Sequence, residues 1–379
     1  MKRSYFIFFL AIMLISCEKP ISEFQSKNFI KFFGSGFESK GNDVVELSDG
    51  GYVITGYDKV NASNQQIFAA KVDKNGNLIW SNTYGKSAAK EEGKIVKEVS
   101  DGFLIAGIST PTSSSITHSF IMKVNTYGDS LWYKEFRDST YSIVVNDILV
   151  TNSNIYIAGQ SYKSDVSKTD FYRAKLDTSG KFIYGKSSFL ASNSSYKRIF
   201  QQQDNNLLLI GTHGVNNVIS MVTVDQSTMN ETSPINTVTP NETAADAILN
   251  GDKLYLLINN SQSGLKLSKL NSGYIEEWQT ETISSVVGKS VAYNEDGTLM
   301  ICGESIDDLG NPLINFIKVN ADGSVYYGQQ FYRTFYGTIG RVMQTKDKGL
   351  ILVGTTNSTY GTNVQLIKTD KDYFMLKNN

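Results

Sequence analysis

The sequence predicts an all-β protein: a seven-bladed β-propeller whose blades are four-stranded antiparallel sheets. The first observation behind this prediction is a unit that recurs in steps of 44 to 52 residues, in which short apolar runs alternate with Gly, Asn and Asp turns. A repeat of this length and pattern is typical of one propeller blade. The second observation is that three positions of the unit keep a common spacing. The third is that the two ends of the chain complement each other.

Three positions of the unit recur in register. A glycine closes the second apolar run in six copies, and Asn259 takes its place in the fifth copy: Gly56, Gly107, Gly159, Gly211, Gly303 and Gly354. A lysine ends the third run in six copies: Lys71, Lys123, Lys175, Lys269, Lys318 and Lys368. Nine residues after that lysine, five copies carry an aromatic residue: Trp80, Trp132, Tyr184, Trp278 and Tyr327. The registers indicate seven copies, of which the fourth departs most because Thr223 replaces the lysine.

The apolar runs predict strands and not helices. Runs such as residues 208–210 and 351–353 are short, rich in β-branched residues and bounded by turn residues. Strands that are buried on both faces between neighbouring blades read as near-continuous apolar runs, as these do. Turns such as Asp49-Gly50 and Asn75-Gly76 suit hairpins that require positive φ.

The ends of the chain predict how the ring closes. The seventh copy reaches Lys368, but Lys377 lies where an outer-strand aromatic residue is expected. Residues 29–34 match residues 80–85 in two aromatic positions and a glycine. We therefore expect the N-terminal segment to supply the outer strand of the last blade, which leaves the ring without an open seam. The alternative is that residues 373–376 fill this position.

The first seventeen residues predict a lipoprotein signal peptide. Lys2 and Arg3 precede an apolar stretch, residues 5–15, that is too short to span a bilayer comfortably. The stretch ends in Leu14-Ile-Ser-Cys17, which resembles the lipobox of bacterial lipoproteins. The resemblance implies that Cys17 carries acyl chains such as palmitate and becomes the mature N-terminus. Residues 18–28 then form a tether, and residues 29–379 form the propeller. The alternative is an ordinary secretory signal with an incidental cysteine.

Composition narrows the function classes. The net charge is −1 and the pI is about 6.2, which gives no electrostatic signature of nucleic-acid binding. Cys302 lies in an apolar run and is expected to be an inert core thiol, so acylation of Cys17 leaves no internal disulfide. His118 and His213 are the only histidines and are expected in exposed loops, so a three-histidine metal site is impossible. We expect no metal and no cofactor.

The repeat resembles those of a known group of proteins. The unit runs Asp49-Gly-Gly-Tyr-Val-Ile-Thr-Gly56, then Lys71-Val-Asp, Asn75-Gly-Asn and an aromatic residue. It resembles the repeats of bacterial propeller lipoproteins and of secreted adhesion-type propellers, over nearly all of residues 29–370. The resemblance implies a propeller in the cell envelope, and we expect a lipid-anchored monomer at the outer membrane. It implies no reaction, because propellers host many unrelated functions.

The sequence carries no catalytic motif. The segment from Asp73 to Asn77 superficially resembles a calcium loop, but its glycine is fourth instead of sixth and Tyr84 stands where glutamate is required. The Ser-x-Asp-x-Gly-x-Thr-Trp box of sialidase-type propellers is missing from the sequence, as is a serine nucleophile elbow. Scattered carboxylates leave no local motif. A carbohydrate-active hydrolase or lyase with carboxylates at the channel mouth is therefore the alternative function.

Loop lengths predict the binding face. Two connections in each unit are short, and the two longer, variable ones lie on one face of the disc because successive strands alternate in direction. Aromatic side chains in such loops stack on sugars or anchor protein partners. We predict a binding role for five of them: Tyr57, Tyr162, Phe335, Tyr336 and Tyr360.

A fourth register predicts the channel mouth on the same face. Thirteen residues before each glycine position lies a residue at the start of an innermost strand: Asp43, Lys94, Asn146, Arg198, Asp246, Ser290 and Arg341. Lys94, Arg198 and Arg341 are the candidates to receive an anionic group. The sequence therefore favours a non-enzymatic envelope lipoprotein that is held to the membrane through Cys17. Its long-loop face is expected to bind a protein or glycan partner.

Overall fold

The computed structural model describes residues 28–35, 37–61, 64–163, 168–188, 193–237, 239–331, 337–358 and 361–371. Cys17, Phe335, Tyr336, Tyr360 and residues 373–376 lie outside these ranges. The regular structure of the described residues is all β-strand, as the apolar runs predicted. Within these ranges, no helix is long and apolar enough to cross a membrane.

The strands follow one another in short connections. The chain begins with β1 (Phe29–Phe33), β2 (Glu38–Glu46), β3 (Tyr52–Asn61), β4 (Asn64–Val72) and β5 (Leu78–Tyr84). It continues with β6 (Ala89–Val99), β7 (Gly102–Pro111), β8 (His118–Val124), β9 (Ser130–Phe136), β10 (Tyr141–Val150), β11 (Asn154–Lys163), β12 (Thr169–Asp177) and β13 (Phe182–Ser188). Next are β14 (Ser195–Gln201), β15 (Leu207–His213), β16 (Val218–Val224), β17 (Ile235–Asn236), β18 (Glu242–Asn250), β19 (Lys253–Asn260), β20 (Gly264–Leu270) and β21 (Glu276–Gln279). The last are β22 (Val287–Tyr293), β23 (Leu299–Ile306), β24 (Pro312–Val319), β25 (Val325–Phe331), β26 (Thr338–Gln344), β27 (Leu350–Ser358) and β28 (Gly361–Lys368).

These strands form five four-stranded sheets and one eight-stranded sheet. The four-stranded sheets are β6–β9, β10–β13, β14–β17, β18–β21 and β22–β25. The eight-stranded sheet has the order β26-β27-β28-β2-β3-β4-β5, and β1 also pairs with β28. Its two halves meet at one parallel pair, Glu38 opposite Thr362. The sheets of the described residues therefore number six, not the predicted seven, because this pair joins the first and last groups of strands.

Strand β1 takes the outer position beside β28. The two strands pair antiparallel from Phe29 opposite Lys368 to Phe33 opposite Val364, where the sequence match placed the N-terminal segment. A Cβ atom on Gly76 would lie 2.8 Å from the Phe29 ring, so this ring covers the β4–β5 turn. Trp80 covers the corresponding turn of the next sheet, where its indole nitrogen donates to the Thr126 carbonyl at 3.1 Å. The aromatic register thus marks the contact between each outer strand and the turn that follows it around the molecule.

The glycine register marks a β-bulge. The first strand of every group shows a one-residue register shift against the second, and its extra residue is Asn42, Lys94, Asn146, Lys197, Ala245, Lys289 or Gly340. The bulge presses a carbonyl group against the second strand. A Cβ atom on Gly56 would lie 1.7 Å from the Lys40 oxygen, and one on Gly107 would lie 2.0 Å from the Glu92 oxygen. Only glycine fits there.

The core lies between the groups of strands. Among the described residues, buried apolar side chains form seven clusters, each of which joins two neighbouring groups. One cluster joins Val44 and Ile54 to Val353 and Leu366, so the halves of the eight-stranded sheet face each other as separate sheets do. Cys302 is a free, buried core thiol, as expected, and burial raises its pKa.

Replacing Phe33 by Ala should destabilise the protein by about 2 kcal/mol, because its ring packs against the cluster between β2–β4 and β27–β28. Phe32 is the matched control, since it belongs to the same strand and is 56% exposed. Phe32→Ala should change the unfolding free energy by no more than about 0.5 kcal/mol. Urea unfolding of the three proteins measures both values. Equal losses for the two variants would contradict a stabilising role for β1.

Candidate binding site

The first strands of the groups form an inner ring. Strands β2, β6, β10, β14, β18, β22 and β26 each contact the next, and β26 contacts β2. The bulges lie near the ends where these strands begin, and we call that end of the ring the channel mouth. Two layers of side chains follow from the bulge: the bulge layer, which consists of the extra residues named above with their neighbours, and the residues that directly follow the bulge.

The second of these, the ion-pair layer, is closely packed. It consists of Asp43, Ile95, Asp147, Arg198, Asp246, Ser290 and Arg341. The Nε atom of Arg198 lies 2.5 Å from Asp246 Oδ1, and its Nη1 atom lies 3.8 Å from Asp147 Oδ2. Arg341 Nε lies 3.5 Å from Asp43 Oδ1. Asp147 also has the Lys97 ammonium at 3.9 Å.

The aspartates of this layer join the inner strands of neighbouring sheets. Asp43 accepts from the backbone N–H of Val44 on its own strand at 3.0 Å and from that of Val96 on β6 at 2.9 Å. Asp147 and Asp246 repeat the arrangement, and the backbone donors on the next inner strand are Ile199 and Val291. Each carboxylate therefore satisfies a backbone donor that burial would otherwise leave without an acceptor.

Charges and hydrogen bonds fix the ionisation of this layer. Burial alone would raise the pKa of Asp246, but the charges of Arg198 and Arg341 and the hydrogen bond from Arg198 hold it well below its usual range. Burial alone would likewise lower the pKa of Arg198. The carboxylates of Asp246 and Asp147 outweigh that effect and raise the pKa. Arg198 and its two partners are therefore ionised at neutral pH.

The predicted ring of channel-mouth residues splits between the two layers. Asp43, Arg198, Asp246, Ser290 and Arg341 follow their bulges, whereas Lys94 and Asn146 are themselves the extra residues. The hairpin length explains the difference. Asp43 pairs with Thr55, twelve residues on, but Asp147 pairs with Ala158, eleven residues on. A fixed offset from the glycine therefore falls one residue early in β6 and β10.

The three predicted anion-binding cations have different environments. Arg198 and Arg341 are held by aspartates, as described above. The Lys94 ammonium donates to Asn146 Oδ1 at 3.1 Å, and its pKa is lowered, first by burial and then by the charge of Lys40 against the opposing effect of Glu92.

The fixed offset missed Asp147, Lys197 and Lys289. The recurring dipeptides Asn42-Asp43 and Asn146-Asp147 are the signal in the sequence that would have identified Asp147.

The two predicted aromatic residues that the structure describes are not free platforms. Tyr57 is half-buried, and its hydroxyl donates to Glu38 Oε1 at 2.8 Å. Burial, followed by this hydrogen bond, raises the pKa of Tyr57. Tyr162 is half-buried near the end of β11, opposite Ser142 and Thr169. Neither of the two lines the cleft described next.

A polar cleft opens beside the channel mouth. It has a volume of about 1280 Å³ and lies among the β19–β20, β21–β22 and β23–β24 connections. Most of its lining side chains carry amide or hydroxyl groups, including Asn217, Asn241, Asn260, Gln262, Ser284 and Ser305. Lys289 of the bulge layer and Glu304 also line the cleft, and they form an ion pair at 3.1 Å. The β23–β24 connection belongs to the long loops that the sequence predicted on the binding face.

Apolar side chains are exposed at this cleft. Val287 and Ile306 line it and are 52% and 73% exposed. Leu309, in the same β23–β24 connection as Ile306, is 85% exposed. Exposed apolar side chains beside a polar cleft are typical of a surface that binds a partner.

Converging carboxylates are already neutralised. The Tyr133 hydroxyl contacts Glu91 Oε1 at 2.8 Å and Glu135 Oε1 at 3.1 Å. Burial would raise the pKa of Glu135, but hydrogen bonds from Lys86 and Arg137 lower it to about 2. Asp147 and Asp246 share Arg198 in the same way. A hydrolase of the predicted alternative type requires one carboxyl that holds a proton near neutral pH, and neither pair supplies it.

The histidines were placed wrongly. His118 is the first residue of β8 and is buried, and His213 ends β15 as a half-buried residue that packs near the Phe171 ring. Strand pairing, not loop length, determines both positions. No group of three or more metal-ligating side chains occurs in the described part of the chain.

The sheets, bulges and inner ring together define a β-propeller fold, and comparison with solved structures agrees. The Pan2 WD40 domain of Neurospora crassa is similar with a TM-score of 0.55 at 9% identity, over 90% of this chain and 96% of that one. The Dos1 propeller is similar with a TM-score of 0.54 at 10% identity, over 89% and 94% of the two chains. A Trypanosoma rangeli sialidase reaches 0.51 at 9% identity, over 78% of this chain and 56% of its own.

These likenesses show the fold alone. No protein-family model matches the sequence, and no curated protein matches it.

Replacing Asp246 by Asn should lower the unfolding free energy by about 3 to 5 kcal/mol at pH 7, because Arg198 loses its closest buried partner. The folded-state pKa of Asp246 is lowered, so its contribution is present above the unfolded value of about 4 and is lost as the pH falls towards the folded value. The difference between wild type and variant should therefore shrink below about pH 4.

Denaturant unfolding at several pH values measures this difference. Asp101→Asn is the matched control, because the Asp101 side chain is 61% exposed and binds only the Lys123 ammonium at 2.6 Å. A pH-independent difference for Asp246→Asn would contradict the assigned ionisation.

Proposed function

We propose that this protein is a cell-envelope lipoprotein whose propeller binds a partner at the long-loop face without catalysing a reaction. The observation that carries the proposal is the 1280 Å³ cleft with exposed Val287 and Ile306 in its wall. Long connections on a rigid β-scaffold are the usual site of binding. The lipid anchor on Cys17 and a position at the outer membrane rest on the lipobox resemblance.

The proposal includes a ring of seven blades. Seven first strands contact one another in a closed series, and seven core clusters separate the groups of strands. On this view, the eight-stranded sheet consists of two blades joined by the single pair of Glu38 and Thr362. Strand β1 then completes the last blade.

The chemistry of the cleft favours a protein partner over a small apolar ligand. Its amide and hydroxyl groups offer hydrogen bonds to peptide groups, and the same groups suit the hydroxyls of a glycan. The exposed apolar side chains of Ile306 and Leu309 add the contact that a protein surface buries most strongly. Among the described lining residues there is no aromatic side chain on which a sugar ring would stack.

The double variant Ile306→Glu/Leu309→Glu should reduce recovery of the partner at least about tenfold, because two charges would have to be desolvated in the contact. The measurement is a pull-down from solubilised envelope with the lipidated protein as bait, read out for proteins and for glycans. Ile275→Glu is the control, since Ile275 is 67% exposed in the β20–β21 turn at the other face. The proposal is wrong if the same partner is recovered equally with both variants, or if folded, lipidated wild type recovers none.

Replacing Cys17 by Ser should abolish incorporation of a radiolabelled or alkyne-tagged fatty acid, and it should release the protein from the membrane fraction. Acyl chains contribute about 0.8 kcal/mol for each buried methylene, so their loss removes the anchor. Cys302→Ser is the matched control, because Cys302 is a buried core thiol. Unchanged labelling of the Cys17 variant would leave an ordinary secretory signal as the explanation of the N-terminal segment.

A further inference from the structure

The bulge layer carries more positive than negative charge. Lys40 pairs with Glu92 at 3.1 Å, and Lys289 pairs with Glu304 at 3.1 Å. Lys94 donates to the neutral side chain of Asn146. Among the described residues, neither Lys94 nor Lys197 has a carboxylate within ion-pair distance. The ion-pair layer beneath is balanced, since Arg198, Arg341 and Lys97 face three aspartates.

The lysines of the bulge layer converge. They come from β6, β14 and β22, which are alternate strands of the inner ring, yet the charges of Lys94 and Lys289 both act on Lys197. Lys197 is exposed to solvent, but protein surrounds it closely enough that desolvation is the largest effect on its pKa, ahead of the charge of Arg198. These effects lower the pKa of Lys197 to about 8. An ammonium group in a concave, wet, positively charged site is suited to receive an anion.

We propose that the channel mouth binds an oxyanion group, a carboxylate, sulfate or phosphate, between the ammonium groups of Lys94 and Lys197. The inference rests on the proposed function and deepens it, because Lys289 belongs both to the bulge layer and to the lining of the cleft. A ligand in the cleft thus reaches the channel mouth with an acidic group. Arg198 and Arg341 do not receive it, because their aspartate partners already neutralise them.

The test is isothermal titration of the mature chain with three probes: inorganic phosphate, inorganic sulfate and D-glucuronate. Wild type should bind at least one probe, with an affinity that falls as salt is added. The double variant Lys94→Gln/Lys197→Gln should lose about tenfold or more in affinity, the value of hydrogen bonds to a charged group. Lys348→Gln is the matched control, because Lys348 is 64% exposed in the β26–β27 turn at the other face, and it should bind as wild type does. Comparison of the three probes identifies the oxyanion.

A second measurement follows the pH dependence of acetylation of Lys197 by mass spectrometry. The bound anion stabilises the ammonium form, so a saturating probe should move the apparent pKa upward from about 8. Equal affinity of wild type and double variant, no binding of any probe, or an unmoved pKa at saturation would each overturn the inference. None of these outcomes affects the Ile306 and Leu309 pull-down, so the proposed function and this inference fail separately.

Discussion

The bulge at the start of each inner strand is the constraint on which the rest of this structure depends. One extra residue per strand turns the following side chain into the interface between sheets, where Asp43, Asp147 and Asp246 each accept a backbone N–H from the next inner strand. The same bulge brings a carbonyl so close to the second strand that glycine is required there. The repeat visible in the sequence is therefore the consequence of a backbone irregularity that every copy must accommodate.

The two layers at the channel mouth use charge for different purposes. In the ion-pair layer, Arg198 lies between two aspartates that also hold backbone donors, so removal of any one partner leaves a buried charge uncompensated. Such a network contributes little net stability compared with apolar packing, but it is consistent with only one arrangement of neighbouring sheets. The bulge layer lies nearer to solvent and tolerates unpaired ammonium groups. Binding, not folding, is the better explanation of Lys94 and Lys197.

The sequence predicted the elements that depend on local chemistry. Apolar runs, turn glycines and the match between residues 29–34 and 80–85 placed the strands and located β1 beside β28. The joining of two groups through Glu38 and Thr362 could not be predicted, because a single backbone pair has no side-chain signature. The offset from the glycine failed in β6 and β10 because hairpin length varies by one residue, and a strand repeat of two makes such a shift reverse the face.

The candidate site was predicted less completely, for a physical reason. Aromatic residues in long loops were expected to be binding platforms, but loop tyrosines also satisfy local acceptors, as Tyr57 does with Glu38. The cleft is formed by amide and hydroxyl side chains from several connections, and these residue types carry no signal at the level of sequence. Only the spatial arrangement of sheets β18–β21 and β22–β25 brings them together.

The position of the cleft follows from where the repeat is least regular. Asn259, which replaces the recurring glycine, lies in its wall and bonds through its side-chain amide to Gly288 of the next sheet, accepting at 2.7 Å and donating at 2.9 Å. The neighbouring outer strands are the shortest in the described chain, two residues in β17 and four in β21. Shortened outer strands leave longer connections, and these connections line the cleft. Departures from a pattern that the other copies keep for packing are expected where a site has been added, which favours binding at these sheets over any other part of the ring.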